Sequence, residues 1–111
     1  MLPSTLRISK TEFKTLGRGY SYHSPVLSLY IYKKTDQTPS QFSFLCSKKV
    51  AKSAVDRNRL RRRGYNTLTK VLIKIQPGFY GVYSFKKGAE KSTFSEINGT
   101  VLQLLTQSGI M

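Results

Sequence analysis

Nine residues, Val55 to Arg63, read VDRNRLRRR and set five arginines and an asparagine against the single acid Asp56. Any fold this chain adopts must present that charge to something. The chain has 19 lysines and arginines against five acids, Glu12, Asp36, Asp56, Glu90 and Glu96, for a formal charge of +14. Self-repulsion of that size is relieved by a polyanionic partner, and nucleic acid suits it better than an anionic membrane.

The pattern is helical from about Ala51 to Ile75. Arg57, Arg61, Leu68 and Leu72 follow one another at intervals of 4, 7 and 4 residues, so they stack on one side of a helix. Asn58 and Arg62 flank that line, while Arg59 and Arg63 point elsewhere. Arginines radiating around the first half and an ordinary amphipathic second half imply a helix whose N-terminal half projects beyond the core. Ten of the 19 basic residues fall between 48 and 74. Arginine dominates its centre, which favours bidentate phosphate contact and base stacking over a diffuse field. A solvated helix face is the competing reading, and the line of Arg57 and Arg61 with core-facing leucines argues against it. The pattern supports nucleic-acid contact without separating RNA from DNA.

The rest of the chain supplies a scaffold. Its 111 residues suit one domain, residues 1–111, with a modest core. Ser9-Lys10-Thr11-Glu12 is a capping box opening a short helix from about Lys10 to Leu16, stopped by Gly17. Val26 to Tyr32, VLSLYIY, alternates strictly: Leu27, Leu29 and Ile31 take one face, Val26, Ser28, Tyr30 and Tyr32 the other. After the turn-like TDQTPS, the strand QFSFLCS turns Phe42, Phe44 and Cys46 to the core, and a hairpin is the simplest link between the two strands. YSY at 20–22 is expected as a short edge strand. Beyond Gln76-Pro77-Gly78, FYGVYSF is another alternating strand, and Thr93 to Glu96 is a second capping box. It opens a helix whose apolar stripe is Ile97, Val101, Leu104 and Leu105, with Gly99 weakening its regularity. The order α, three strands, α, strand, α predicts an α+β fold with three helices covering one four-stranded, mostly antiparallel sheet.

Several classes of chemistry fit poorly. The five acids are scattered, whereas acid/base pairs and protein-built two-metal sites need converging carboxylates or histidines. The lone Cys46 with the lone His23 makes no zinc set, and Cys46 in its apolar run reads as a small core residue. No apolar run is long enough to cross a bilayer and the first residues lack a secretory signal, so a cytoplasmic protein is expected.

The stretch FSFLCSKKVAKSAVDRNRLRRR, Phe42 to Arg63, resembles the signature of the protein subunit of bacterial ribonuclease P, a strand ending in Ser-Lys-Lys that leads into a helix carrying Arg-Asn-Arg and further basic residues. LRISKTEFKTL is similar to the family's first helix with its aromatic, here Phe13. SPVLSLYIY resembles the strand that follows, and KKGAEKSTFSEINGTVLQLL the end of the sheet and the last helix. The resemblance implies a fold like the second domain of a small-subunit ribosomal protein, with a left-handed strand–helix–strand crossover through the RNR helix. It further implies an accessory RNA-binding subunit of an endonuclease that removes the 5′ leader of precursor tRNA. In that arrangement an RNA subunit holds the catalytic Mg2+, with neither a membrane nor a small-molecule substrate involved. By matching positions, Lys48, Lys49, Lys52, Arg57, Asn58, Arg59, Arg61 and Arg62 would contact the RNA subunit. Phe13 and Tyr30, with Ser28 and Tyr32 on the same strand face, would line the cleft for the leader.

The chain departs from the family pattern at Gly17, where many relatives carry a second aromatic. It does so again at Ala51, a common glycine, and at Gly64-Tyr65-Asn66, which interrupts a segment that is usually a continuous helix and leaves room for a kink there. A structural ribosomal protein, a DNA-binding module and an autonomous nuclease are the alternatives.

Overall fold

The computed structural model describes residues 6–14, 16–17 and 19–111. The elements in chain order are α1 (Lys10–Lys14), β1 (Tyr20–His23), β2 (Leu27–Lys33), β3 (Gln41–Leu45), α2 (Ala54–Val71), β4 (Phe79–Phe85) and α3 (Phe94–Ser108). Single 3-10 turns at Leu72–Lys74 and Ala89–Lys91 follow α2 and precede α3. The expected element order holds, including the short edge strand β1. α1 is shorter than the expected span to Leu16: it ends at Lys14 and Leu16 is not helical, while Thr15 lies outside the described residues.

The four strands lie in the order β1-β2-β4-β3. β1 pairs with β2 and β2 with β4 in antiparallel fashion, while β3 runs parallel to β4, so the sheet is mixed. The expected β2–β3 hairpin does not form, because β4 lies between those strands. Alternation specifies which face of a strand is buried, but it leaves open which strand lies beside it. Here α2 carries the chain from the end of β3 back to the start of β4, the crossover that parallel neighbours need. Gly81 of β4, paired with both Ile31 and Phe42, helps β4 fit between the strands. A Cβ there would stand 2.5 Å from the Phe42 ring. The TDQTPS loop closes against the Gln76-Pro77-Gly78 turn instead, where the Gly78 N–H donates to the Thr38 carbonyl at 2.8 Å and Lys34 N–H to the Gly78 carbonyl at 2.8 Å.

Strand alternation divides the sheet as the sequence implies. Leu27, Leu29, Phe42, Phe44, Tyr83 and Phe85 are buried on the face covered by α2 and α3. Phe44 stacks on Tyr83 with centroids 4.6 Å apart and meets Tyr65 edge-on at 4.9 Å. The hydroxyl of Tyr83 donates to the Val101 carbonyl at 3.0 Å, so the polar end of this buried ring is satisfied by α3. The α3 stripe is the expected one, with Ile97, Val101, Leu104 and Leu105 all buried. Cys46 is only half-buried.

Both capping boxes form. The Ser9 N–H donates to Glu12 at 2.9 Å and the Thr93 N–H to Glu96 at 2.9 Å. Each carboxyl is held below the ordinary glutamate value, first by its backbone donor, Ser9 for Glu12 and Thr93 for Glu96. Burial works against the shift at Glu12, and the Ser9 hydroxyl, Gln41 and Tyr80 assist it. A depressed carboxylate stabilises the fold above its unfolded-state pKa, and that contribution is lost as pH falls through the folded value. Thermal unfolding should therefore be insensitive to pH between about 7 and 5.5 and weaken below about 4.5. Glu96→Gln, which keeps a box-compatible acceptor without a titrating group, should flatten part of that decline. An unaltered acid profile in that variant would rule Glu96 out as a source of it.

Candidate nucleic-acid interface

The turn after β3 sets the start of α2. Val50 and Ala51 are buried, their N–H groups donating to the Ser47 carbonyl at 3.1 and 3.2 Å, and this leaves Lys48, Lys49 and Lys52 exposed. The helix begins at Ala54, three residues later than the periodicity implies, because Ser53 caps it by accepting from Asp56 N–H at 3.3 Å. Arg57 reaches back over this junction. Its Nη1 donates to the carbonyls of Ala51 at 3.0 Å and Lys52 at 2.8 Å, so one arginine of the run holds the lysine turn against the helix.

Asn58, Arg59 and Arg62 are exposed, and Arg57 and Arg61 half-buried at the border of the apolar stripe. Arg61 Nη2 donates to Asn58 Oδ1. Among the described residues, Arg59–Asp56 at 2.9 Å is the one ion pair. It is solvent-exposed, so it takes little from the field of the helix. Arg63 lies 5.8 Å over the ring of Phe94. The run is thus not consumed by internal carboxylates, and through Arg57 its start lies against the turn that carries Lys48, Lys49 and Lys52. The arginine-bearing half projects less than its charge suggests, since Leu60 and Gly64 are already buried. The interruption expected at Gly64 does not occur. α2 is continuous from Ala54 to Val71 because Gly64 allows it to lie directly on Phe44, where a Cβ would stand 2.3 Å from the ring. Tyr65 is likewise structural, accepting from the Phe44 N–H at 3.2 Å.

A cleft of about 370 Å³ opens on the other face of the sheet, lined by Phe13 and Leu16 from α1 and its exit, and by Tyr30, Tyr32, Leu45, Val82 and Ser84 from the strands. Glu12 fixes α1 there. Gln41 Nε2 donates to its Oε1 at 3.1 Å and the Tyr80 hydroxyl to its Oε2 at 3.4 Å, a tertiary role beyond the capping box. Ser28 belongs to the same strand face but is buried, not among the lining residues. Its hydroxyl meets His23 Nδ1 at 2.8 Å, and that imidazole packs edge-on against Tyr30 with centroids 6.0 Å apart. Leu16, Leu45, Val82 and Ser84 were not foreseen. The parity that sends Phe42 and Phe44 inward also puts Leu45 on the cleft face, so that signal was present. Leu45 precedes Lys48 by three residues, so the strand that supplies this wall leads into the basic turn.

Burial raises the Cys46 thiol, with Arg61 and Arg57 opposing, so it remains a poor nucleophile at neutral pH. Among the described residues no three histidine, cysteine or carboxylate side chains converge. No helix among them is long and apolar enough to cross a membrane.

The family model "Ribonuclease P" matches residues 2–109. The chain belongs to the ribonuclease P protein family. It is 30% identical to the ribonuclease P protein component of Microcystis aeruginosa, over 99% of this chain and 96% of that protein. Identity to the component from Clostridium kluyveri is 32%, over 94% and 95%. The fold matches the ribonuclease P protein of Staphylococcus aureus with a TM-score of 0.85 at 18% identity, covering 95% of this chain and 96% of that one. The Thermotoga maritima protein matches with a TM-score of 0.72 at 21% identity, covering 86% of each chain. The protein is therefore the RNA-binding subunit of ribonuclease P, active as part of the holoenzyme with ribonuclease P RNA as its partner, and the ribosomal alternative is not favoured.

Proposed function

We propose that the two faces divide the work of the subunit. Lys48, Lys49, Lys52 and the exposed groups of Arg57, Asn58, Arg59, Arg61 and Arg62 bind the RNA subunit. The cleft between α1 and the sheet takes the single-stranded 5′ leader of precursor tRNA. The observation that carries the leader assignment is the cleft itself: Phe13, Tyr30 and Tyr32 are half-buried aromatics lining it, and its Leu45 wall belongs to the strand that leads into the basic turn. Unpaired bases stack on such rings while nearby cations meet the backbone charge. Magnesium ions belong, in this reading, with the RNA subunit, and the arginines and lysines lower the phosphate repulsion that would otherwise drive those ions off. The cytoplasm is the compartment this implies.

Tyr30→Ala should weaken binding of leader-bearing precursor by roughly 10- to 100-fold, the range expected for one lost stacking contact, and leave leaderless tRNA unaffected. Phe13→Ala should act in the same direction. Binding of the two tRNA species to holoenzyme, measured side by side for each variant, decides it. Equal losses for both species would mean that these aromatics serve the fold and not the leader.

A further inference from the structure

Arg7 is remote in sequence from the arginine run, yet the fold brings it alongside. The segment before α1 adds to the outer edge of β3, where Arg7 forms an isolated parallel bridge with Phe42 and Ile8 N–H donates to the Phe42 carbonyl at 3.1 Å. Bridge partners share a face, so Arg7 is on the side covered by α2. There Arg7, Asn58, Arg61, Arg62 and Tyr65 line a pocket of about 340 Å³ with no carboxylate in its wall.

The hydrogen bonding of this pocket is incomplete. Arg7 Nε is buried without a partner, and a shielded donor of a charged group that lacks an acceptor is destabilising. The side chain of Arg62 has no hydrogen bond or ion pair among the described residues. The Tyr65 oxygen already accepts from Phe44 N–H, so its own proton remains available to a ligand. Three guanidinium groups, a phenol and an amide thus surround a space that lacks only an acceptor bearing negative charge. A tetrahedral oxyanion offers several such oxygens to forked donors.

We propose that Arg7, with Arg61 and Arg62, forms a site for one phosphate group, and that in the holoenzyme the group is a phosphodiester of the RNA strand bound along α2. The inference rests on the reading of α2 as an RNA-binding helix and adds to it a ligand from outside the arginine run.

The test compares wild type, Arg7→Gln and Lys91→Gln, the last removing one exposed charge outside the pocket. Thermal midpoints are measured in inorganic phosphate and in chloride at equal ionic strength, and binding to ribonuclease P RNA across a salt series. Phosphate should raise the midpoint of wild type and Lys91→Gln more than that of Arg7→Gln. Arg7→Gln should bind the RNA about tenfold more weakly, with the salt slope reduced by about 0.7 to 0.9, and Lys91→Gln should change far less. Wild-type RNA affinity and slope in Arg7→Gln would overturn the proposal. A lost phosphate response with unchanged RNA binding would reassign the site to free phosphate, overturning its RNA role. Should Arg7→Gln fail to fold, Arg7→Lys keeps the charge without the fork. It should then show a several-fold loss, and wild-type behaviour would again overturn the site. If wild type itself does not bind the RNA, the α2 reading has failed independently of Arg7; intact binding in Arg57→Ala/Arg61→Ala would overturn that reading and, because Arg61 also lines the pocket, the RNA role of the site with it.

Discussion

Gly64→Ala is expected to destabilise this protein by about 2 kcal/mol, opposite in sign to what helix propensity alone would give. An interior glycine disfavours a helix by about 1 kcal/mol relative to alanine, so an exposed position would gain from the change. At Gly64 the new methyl would stand 2.3 Å from Phe44 Cε1, far inside contact distance. Phe44 has nowhere to go: it is 2% exposed, stacked on Tyr83 and met edge-on by Tyr65. Overpacking of this kind costs about 1–3 kcal/mol, and a clash with a ring held on two sides belongs near the top of that range. Subtracting the propensity gain leaves roughly 2 kcal/mol, or a fall of about 8 °C in Tm for a domain of this size. Gly99→Ala is the matched control. Gly99 is exposed on α3 with nothing within 4 Å of an added methyl, so alanine there should stabilise by about 0.5–1 kcal/mol. Chemical denaturation of the two variants should give opposite shifts in midpoint; a stabilised Gly64→Ala would mean that α2 can move off the sheet.

Arg57→Ala/Arg61→Ala should weaken binding to ribonuclease P RNA by about 100-fold near physiological salt, taking each lost charge-assisted contact as roughly tenfold. The slope of log K against log salt should shrink by about 1.4 to 1.8, two contacts at 0.7 to 0.9 each. The magnesium concentration needed for cleavage by the reconstituted enzyme should rise as well, because fewer protein cations offset RNA phosphate repulsion. The two arginines differ in one respect. Arg57 also ties the lysine turn to α2 through the Ala51 and Lys52 carbonyls, so its removal frees Lys48, Lys49 and Lys52 from their fixed direction. Arg59→Ala alone should have a smaller effect, about tenfold, since it removes one contact in place of two. Unchanged affinity and slope in the double variant would exclude these residues from the RNA contact.

The clearest parts of the fold in the sequence were those with local causes. Both capping boxes and the α3 stripe depend on interactions within a few residues, and they form as expected. The face of each strand was equally plain, because alternation is a property of one strand. The candidate site was legible where charge was dense, since Arg57 to Arg63 stand with Asp56 as the single acid beside them. Ser28 was placed on the right face, but parity does not reveal that a hydroxyl is buried under His23.

By itself, the sequence determined that this chain must meet a polyanion, which residues would form helices and strands, and which side of each would be apolar. Those are consequences of charge count and of periods 3.6 and 2, and they need no knowledge of neighbours. Only the tertiary structure decided that β4 separates β2 from β3, that Gly64 is a contact point inside an unbroken helix, that Glu12 fastens α1 over the cleft, and that Arg7 joins the arginines of α2. Each of these depends on which surfaces meet across long stretches of chain. Many strand orders satisfy the same alternation, and close packing against Phe42 and Phe44 is visible only once the partners are in place.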